Sequence, residues 1–134
     1  MTETPISTFD AITGQLSVNA GTIAIPEAQF EQNTDIRSIS LPDSLERIEE
    51  LAFAYNANLE TIDFGDSLNL IGKESFFAPF SLKTLTIPDS VTTLGDYAFQ
   101  YARALEIINI GNSVISIGKR SFSNASALKQ LNLG

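Results

Sequence analysis

The segment Pro88-Asp-Ser-Val-Thr-Thr-Leu-Gly-Asp-Tyr-Ala-Phe-Gln-Tyr-Ala-Arg-Ala-Leu-Glu-Ile-Ile-Asn-Ile110 recurs with small changes along most of the chain. The phenylalanine of this segment, Phe99, belongs to a column of five phenylalanines that recur every 23 residues: Phe30, Phe53, Phe76, Phe99 and Phe122. A fixed period of this length indicates a repeat protein in which each unit forms one structural turn. The spacing therefore decides the fold.

Five further columns of apolar residues keep the same spacing. They are Ile36, Leu59, Leu82, Leu105 and Leu128; Ile39, Ile62, Leu85, Ile108 and Leu131; Leu41, Phe64, Ile87, Ile110 and Leu133; Ile25, Ile48, Ile71, Leu94 and Ile117; and Leu45, Leu68, Val91 and Val114. A single unit of this size cannot enclose its own apolar residues, so each must stack on its neighbours. We therefore expect one continuous core along a solenoid.

Within the unit that contains Leu82-Lys-Thr-Leu-Thr-Ile87, polar and apolar residues alternate from Thr84 to Ile87, which predicts a short strand there. The turn residues Pro88-Asp-Ser90 follow and end it. We expect Gly95 to adopt a positive φ and Asp96 to cap a short helical or 3₁₀ turn over residues 97–102. In that turn the phenylalanine column faces inward, as an aromatic plug between successive coils.

The chain divides into three parts. Residues 1–8 are polar and predict a flexible lead-in, and residues 9–18 predict an N-terminal cap hairpin or strand around a Thr-Gly turn. Residues 19–134 hold five repeats, of which the first is degenerate and the last has no cap after it. The 134 residues fit one domain of ordinary size.

Composition excludes several classes of function. The net charge is −8, and the eight basic residues are spread thinly, which argues against nucleic acid as a partner. The absence of His and Cys removes the usual zinc ligands, thiolate nucleophiles and histidine bases, so we expect no enzyme and no cofactor. No apolar run reaches the ~18 residues of a membrane span, and residues 1–8 lack the segments of a secretory signal.

One acidic column could suggest calcium: Asp43, Asp66, Asp89 and Asn112. A calcium site needs about six to eight oxygen ligands in a closed geometry. One carboxylate per coil beside a serine is instead typical of turns. We therefore predict no metal site.

The stretch Leu85-Thr-Ile-Pro-Asp-Ser-Val-Thr-Thr-Leu-Gly-Asp-Tyr-Ala-Phe99 resembles the repeat of the BspA-like (Treponema pallidum-type) leucine-rich repeat family. The resemblance covers about residues 19–134. It implies an α/β solenoid, a right-handed superhelix with short parallel strands on a concave face and short helical or 3₁₀ turns on a convex face. It also implies attachment to protein or glycan partners at a cell surface or outside the cell, whereas the sequence alone leaves the cytoplasm open as well.

Outward positions on the predicted concave strands form two ladders. These are Ser38, Thr61, Thr84, Ile107 and Gln130, and Ser40, Asp63, Thr86, Asn109 and Asn132. One interpretation is a ligand-binding groove; the other is that solvent-facing strand positions are simply polar. The lack of aromatic residues favours weak or multivalent contact, because binding hot spots are enriched in Trp, Tyr and Arg.

Aromatic residues cluster on the predicted convex side. They are Tyr55, Phe77, Phe80, Tyr97 and Tyr101. An exposed apolar cluster often marks an interface. Alternatively, Phe77 and Phe80 fold over neighbouring coils and extend the core.

Two functions from different classes therefore compete. The first is a non-catalytic, adhesion-type binding module of a surface or secreted protein. The second is a structural spacer that self-assembles through Leu128–Leu133, a terminal strand that no later coil covers.

Overall fold

A computed structural model describes residues 6–134 of the chain. Residues 1–5 of the predicted lead-in lie outside the described residues. Strand β1 begins at Ser7, so the last two residues assigned to the lead-in belong to a strand. Strands β1 (Ser7–Asp10) and β2 (Gln15–Val18) form an antiparallel hairpin that pairs Phe9 with Leu16. Gly14 takes a φ of 76° in its turn, a conformation that glycine adopts readily.

The first face of the solenoid is a row of strands, one from each coil. After β2 they are β4 (Ser38–Ser40), β6 (Thr61–Asp63), β8 (Thr84–Thr86), β10 (Ile107–Ile110) and β12 (Gln130–Leu133). Paired neighbours are parallel, and each residue pairs with its counterpart one repeat along the chain, as Ser38 does with Thr61. The apolar columns therefore lie in register across the coils.

The second face is a narrower row of two-residue strands. They are β3 (Ala24–Ile25), β5 (Arg47–Ile48), β7 (Leu70–Ile71), β9 (Thr93–Leu94) and β11 (Ser116–Ile117). These five strands form one continuous parallel sheet in chain order. Their inward residues Ile25, Ile48, Ile71 and Leu94 are at most 1% exposed, so this face closes the core from the opposite side.

The third side contains turns, and the helical or 3₁₀ segment predicted for it is wrong. No helix occurs within residues 6–134. Backbone amides on this side donate to the next coil rather than along their own: Phe53 to the carbonyl of Ser75 at 2.7 Å, and Phe76 to that of Ala98 at 2.9 Å. We call this arrangement the turn row.

Left-handed residues explain why no helix forms in the turn row. Each coil places two of them four positions apart, with φ between 53° and 67°: Ala28 and Gln32, Leu51 and Tyr55, Glu74 and Ala78, Tyr97 and Tyr101, and Arg120 and Asn124. A right-handed helix cannot pass through a residue with positive φ. The resulting bend turns alternate amides outward toward the neighbouring coil.

The role predicted for Gly95 is also wrong, because Gly95 is not among the residues with positive φ. A Cβ atom there would overlap the backbone nitrogen of Lys73 in the preceding coil, and one at Gly118 would overlap that of Asp96. These glycines permit close approach of successive coils. Asp96 likewise caps no helix, since its Oδ1 accepts the amide of Lys119 in the next coil at 2.7 Å.

The phenylalanine column forms the axis of the core. Its five rings stack nearly parallel, with successive centroids 5.3, 5.1, 5.2 and 5.7 Å apart and interplanar angles of 15° or less. Phe53, Phe76 and Phe99 are at most 1% exposed. The aromatic plug expected from the sequence is therefore present in each coil.

Truncating the central ring tests this core. We expect Phe76→Ala to lower the free energy of unfolding by about 3–5 kcal/mol, from lost transfer free energy and the cavity left behind. Thermal denaturation followed by circular dichroism measures the change. Phe80→Ala is the matched control, because the Phe80 ring is 43% exposed and its loss costs only about 1 kcal/mol. A fall in Tm of only a degree or two for Phe76→Ala would contradict the stacked core.

Arg120 tests the left-handed turn row, because its side chain is exposed and its φ is 54°. We expect Arg120→Gly to raise the free energy of unfolding by up to about 1 kcal/mol, since glycine adopts positive φ without steric cost. The β-branched Arg120→Val should lower it by about 1–2 kcal/mol. Chemical denaturation measures both.

The neighbouring Lys119 is the control for these variants, because it is exposed and has no positive φ. Lys119→Gly should lose about 0.5–1 kcal/mol through backbone entropy. If glycine destabilised both positions equally, the left-handed conformation of Arg120 would be refuted.

Candidate functional site

The predicted concave ladders lie on the outward side of the first face. Thr61, Asp63, Thr84, Thr86, Gln130 and Asn132 are exposed, and Ile107 and Asn109 are half-buried. Strand alternation produces this arrangement, because successive side chains of a strand point to opposite sides of the sheet. The first face therefore brings all eight candidate residues onto one surface.

Side-chain hydrogen bonds join part of this surface into a fixed polar row. The Nδ2 of Asn132 donates to Oδ1 of Asn109 at 2.6 Å, and the Nδ2 of Asn109 donates to Oγ1 of Thr86 at 3.1 Å. Gln130 donates to Oδ1 of Asn132 at 3.0 Å. The row holds the amide groups in set orientations and ends at Thr86, one coil short of Asp63.

The strand ladder of the first face is interrupted at the same place. Strands β2, β4 and β6 belong to one sheet and β8, β10 and β12 to another, with no pairing between β6 and β8. At other junctions two successive amides donate to one carbonyl of the preceding coil, as Glu106 and Ile107 do to Lys83 at 2.8 and 3.2 Å. The corresponding bonds from the Lys83 and Thr84 amides to the Glu60 carbonyl are absent, and within residues 6–134 this is the one first-face junction that lacks them.

A groove of about 790 Å³ opens at this interruption. Its lining includes Thr61, Ile62, Thr84 and Thr86 from the two strands, together with Glu60, Phe80, Ser81, Lys83 and Ala104. Ile62 is half-buried, whereas its column neighbours Ile39 and Leu85 are at most 2% exposed. The second face and the turn row stay bonded here, so the opening is confined to one side of the solenoid.

Two departures from the repeat adjoin the groove. Pro79-Phe80 stands where the preceding coil has Asn56-Ala57. Asn56 accepts the amide of Asn33 at 2.9 Å, while its own buried Nδ2 has no hydrogen-bond partner among residues 6–134. Phe64 also exceeds its column neighbours in size and packs edge-on against Phe76 at 5.8 Å.

Charged residues precede the strands of the first face with alternating sign: Arg37, Glu60, Lys83, Glu106 and Lys129. Arg37 pairs with Glu60 and Lys129 pairs with Glu106, both at 3.8 Å. Lys83 makes no ion pair within the described part of the chain. The groove wall therefore carries the Lys83 ammonium group, which makes no ion pair, beside the Glu60 carboxylate, which is paired with Arg37.

The aromatic cluster predicted for the convex side divides into two parts. Phe77 packs edge-to-face between Tyr55 at 5.3 Å and Tyr101 at 5.4 Å, forming a row along the turns. Phe77, Tyr97 and Tyr101 are half-buried, and Tyr55 is 45% exposed. These four thus cover the turn row rather than forming one exposed patch.

Phe80 is separate from this row, because its ring lines the groove. The guanidinium carbon of Arg103 lies 5.3 Å from the Phe80 ring centroid and 5.5 Å from that of Tyr101. Such a cation–π contact adds about 0.5–1 kcal/mol at an exposed site. The sequence identified Phe80 as a departure from the repeat; the structure places its ring at the groove and connects it to Tyr101 through Arg103.

The acidic column takes part in turn contacts. Asp43 accepts the amide of Asp66 at 3.1 Å and Asp89 accepts that of Asn112 at 2.9 Å, each joining two coils. Among residues 6–134, no group of three or more acidic side chains is placed to hold a metal ion. No helix in that range is long and apolar enough to cross a membrane.

The last coil exposes several large apolar side chains. Leu131 and Leu133 of β12 are 54% and 74% exposed, and Ile115 and Ile117 are 85% and 51% exposed. The residues equivalent to Leu131, Leu133 and Ile117 in the preceding coil, Ile108, Ile110 and Leu94, are at most 9% exposed. A further repeat or a second copy of the chain would cover this surface.

Comparison with known proteins identifies the repeat. Residues 23–134 match the family described as BspA type leucine rich repeat region, in six copies. No curated protein matches the chain. Among solved structures, it is similar to a leucine rich cell surface protein from Faecalibacterium prausnitzii A2-165, with 28% identity and a TM-score of 0.87 over 98% of this chain and 34% of that one.

Two further structures share the fold. The pneumococcal vaccine antigen PcpA has 24% identity and a TM-score of 0.78 over 93% of this chain and 30% of its own. A leucine-rich repeat protein from Bacteroides ovatus has 22% identity and a TM-score of 0.78 over 94% and 39%. The chain spans between 30% and 39% of the length of these three proteins. The repeat, its register and the family match together show that the chain belongs to the BspA type leucine-rich repeat family.

Proposed function

We propose that this chain is a non-catalytic, adhesion-type binding segment of a cell-surface protein and that it contacts a protein or glycan through its first face. The observation that carries the proposal is the fixed polar row from Thr86 to Asn132, which presents oriented amide groups to solvent. Oriented polar groups lose little conformational entropy when a partner binds. The row therefore suits recognition.

Similarity and composition support the same function. The Faecalibacterium protein, 28% identical, is a leucine rich cell surface protein. The sequence has no His and no Cys for nucleophilic or general-base chemistry, which favours binding over catalysis. Strands β2, β4, β6, β8, β10 and β12 carry no aromatic residue, so affinity away from Phe80 must come from many weak contacts or from several copies acting together.

A binding array tests this proposal with immobilised collagen, fibronectin, laminin and a panel of glycans as probes. We expect at least one probe to bind the wild-type chain. The double variant Thr86→Arg, Asn132→Arg should weaken that binding at least about tenfold, a loss of ~1.4 kcal/mol, because two bulky cations then cover the row.

The matched control is Ser116→Arg, an equally exposed change on the second face. It should leave binding unchanged. A blank array with folded protein would contradict the proposal, as would equal losses in the first-face and second-face variants.

Assembly through the last coil is a second candidate, favoured by the exposed apolar surface around Leu131 and Leu133. If assembly is the function, sedimentation equilibrium will show concentration-dependent association that Leu131→Glu abolishes. The physical reason is that a charge on an apolar interface cannot be desolvated cheaply. A strict monomer at high concentration would remove this candidate.

A further inference from the structure

We infer that the groove between β6 and β8 binds an extended peptide segment that carries an acidic side chain next to an apolar one. The inference deepens the proposed function and rests on it, because it names the partner chemistry of the same first face. Four features of the groove support it: unbonded backbone groups, an unpaired cation, accessible apolar surface and suitable volume.

The backbone groups provide the first argument. The amides of Lys83 and Thr84 and the carbonyl of Glu60 stay unbonded to each other at this junction, although equivalent groups are bonded at Arg37–Glu60 and Lys83–Glu106. Unpaired strand groups are the feature that peptides use when they bind beside a sheet, through their own amides and carbonyls. These unbonded groups are therefore available to the main chain of a bound peptide.

Charge provides the second argument. Lys83 lines the groove without an ion pair, while Glu60 beside it is already paired with Arg37 at 3.8 Å. The guanidinium of Arg103 stacks over Phe80 at the same opening and, within the described residues, pairs with no carboxylate. Two cations without counter-ions in a chain of net charge −8 make this opening locally suited to a carboxylate.

Apolar surface and size provide the remaining arguments. The Phe80 ring is 43% exposed and Ile62 is half-buried, so an apolar side chain of the partner can be desolvated against both. A volume of about 790 Å³ lies in the range of ~300–1,000 Å³ that is usual for ligand sites. It accommodates a few side chains rather than a whole domain.

A peptide fits these features better than a sugar does. Arg103 covers one face of the Phe80 ring, which reduces the aromatic surface on which a sugar could stack. The unbonded amides of Lys83 and Thr84 and the carbonyl of Glu60 also offer donors and an acceptor that suit a peptide main chain. Binding of an acidic oligosaccharide instead of a peptide is the alternative result that the test must distinguish.

Hydrogen exchange on the free protein examines the groove itself. The amides of Lys83 and Thr84 should exchange at least about tenfold faster than those of Glu106 and Ile107, because the latter are bonded to the preceding coil. Nuclear magnetic resonance resolves these four amides individually. Equal protection of both pairs would show that the strands are joined and would overturn the inference, whatever the array of matrix proteins and glycans shows.

A peptide array examines the ligand. The probes are capped hexapeptides in which Glu, Asp, Gln or Lys alternates with Val, Leu, Phe or Ser in all combinations, together with sialylated and glucuronic acid oligosaccharides. We expect the acidic and apolar peptides to bind best, and their binding should slow the exchange of Lys83 and Thr84.

Two lysines of the same column provide matched variants. Lys83→Gln should weaken binding of the acidic peptides at least about fivefold, whereas Lys129→Gln should not, because Lys129 pairs with Glu106 away from the groove. Phe80→Ala should weaken the peptides that contain Leu or Phe most.

The outcomes separate this inference from the proposed function. Matrix or glycan binding that is lost in the first-face variant but unaffected by Lys83→Gln and Phe80→Ala would keep the proposed function and overturn the peptide groove. Preference for acidic oligosaccharides at Lys83, or no preference for acidic over amide peptides, would overturn it too. Binding of acidic peptides that both groove variants weaken supports both.

Discussion

Hydrogen bonding between successive coils is the interaction on which the structure depends. Successive coils are bonded along the second face and the turn row, and along the first face except between β6 and β8. Paired residues on the two faces occupy the same position in successive repeats. This register superimposes every apolar column, so the phenylalanine rings stack along one axis. A solenoid of this kind gains its stability from interfaces between neighbours, because no coil encloses a core alone.

The same dependence makes a local interruption possible. When β6 and β8 separate, the second face and the turn row still join the coils, and the stack from Phe53 through Phe76 to Phe99 remains intact. The solenoid can therefore open on one side without losing its core. The groove lies on one side of the coil, and the bonds that still join the two coils here lie on the other two sides.

Sequence reasoning predicted the first face well and the turn row poorly. The strand register and the inward Phe99 followed from alternation and period, and the structure confirms both. The turn over residues 97–102 carries residues that are compatible with a helix, yet Tyr97 and Tyr101 are left-handed. That conformation is imposed by bonds to Lys119 and Ser123 in the next coil, which no local pattern reveals.

The candidate site shows the same division. Outward positions such as Thr84 and Asn109 could be identified from the sequence, because strand alternation fixes which side a residue faces. Pro79-Phe80 could be recognised as a departure from the repeat, but its position beside the first face could not. The groove depends on bonds that are missing between two coils, and missing bonds leave no signal in a periodic sequence.

Spacing alone predicted the period and the apolar columns, and the repeat motif indicated the family and, through that resemblance, the parallel strands. The absence of helix from the turn row, the close-packing role of Gly95 and the opening between β6 and β8 became visible only in the folded chain. The physical reason is that these features arise from contacts between one coil and the next, where the fit of the two coils overrides local conformational preference.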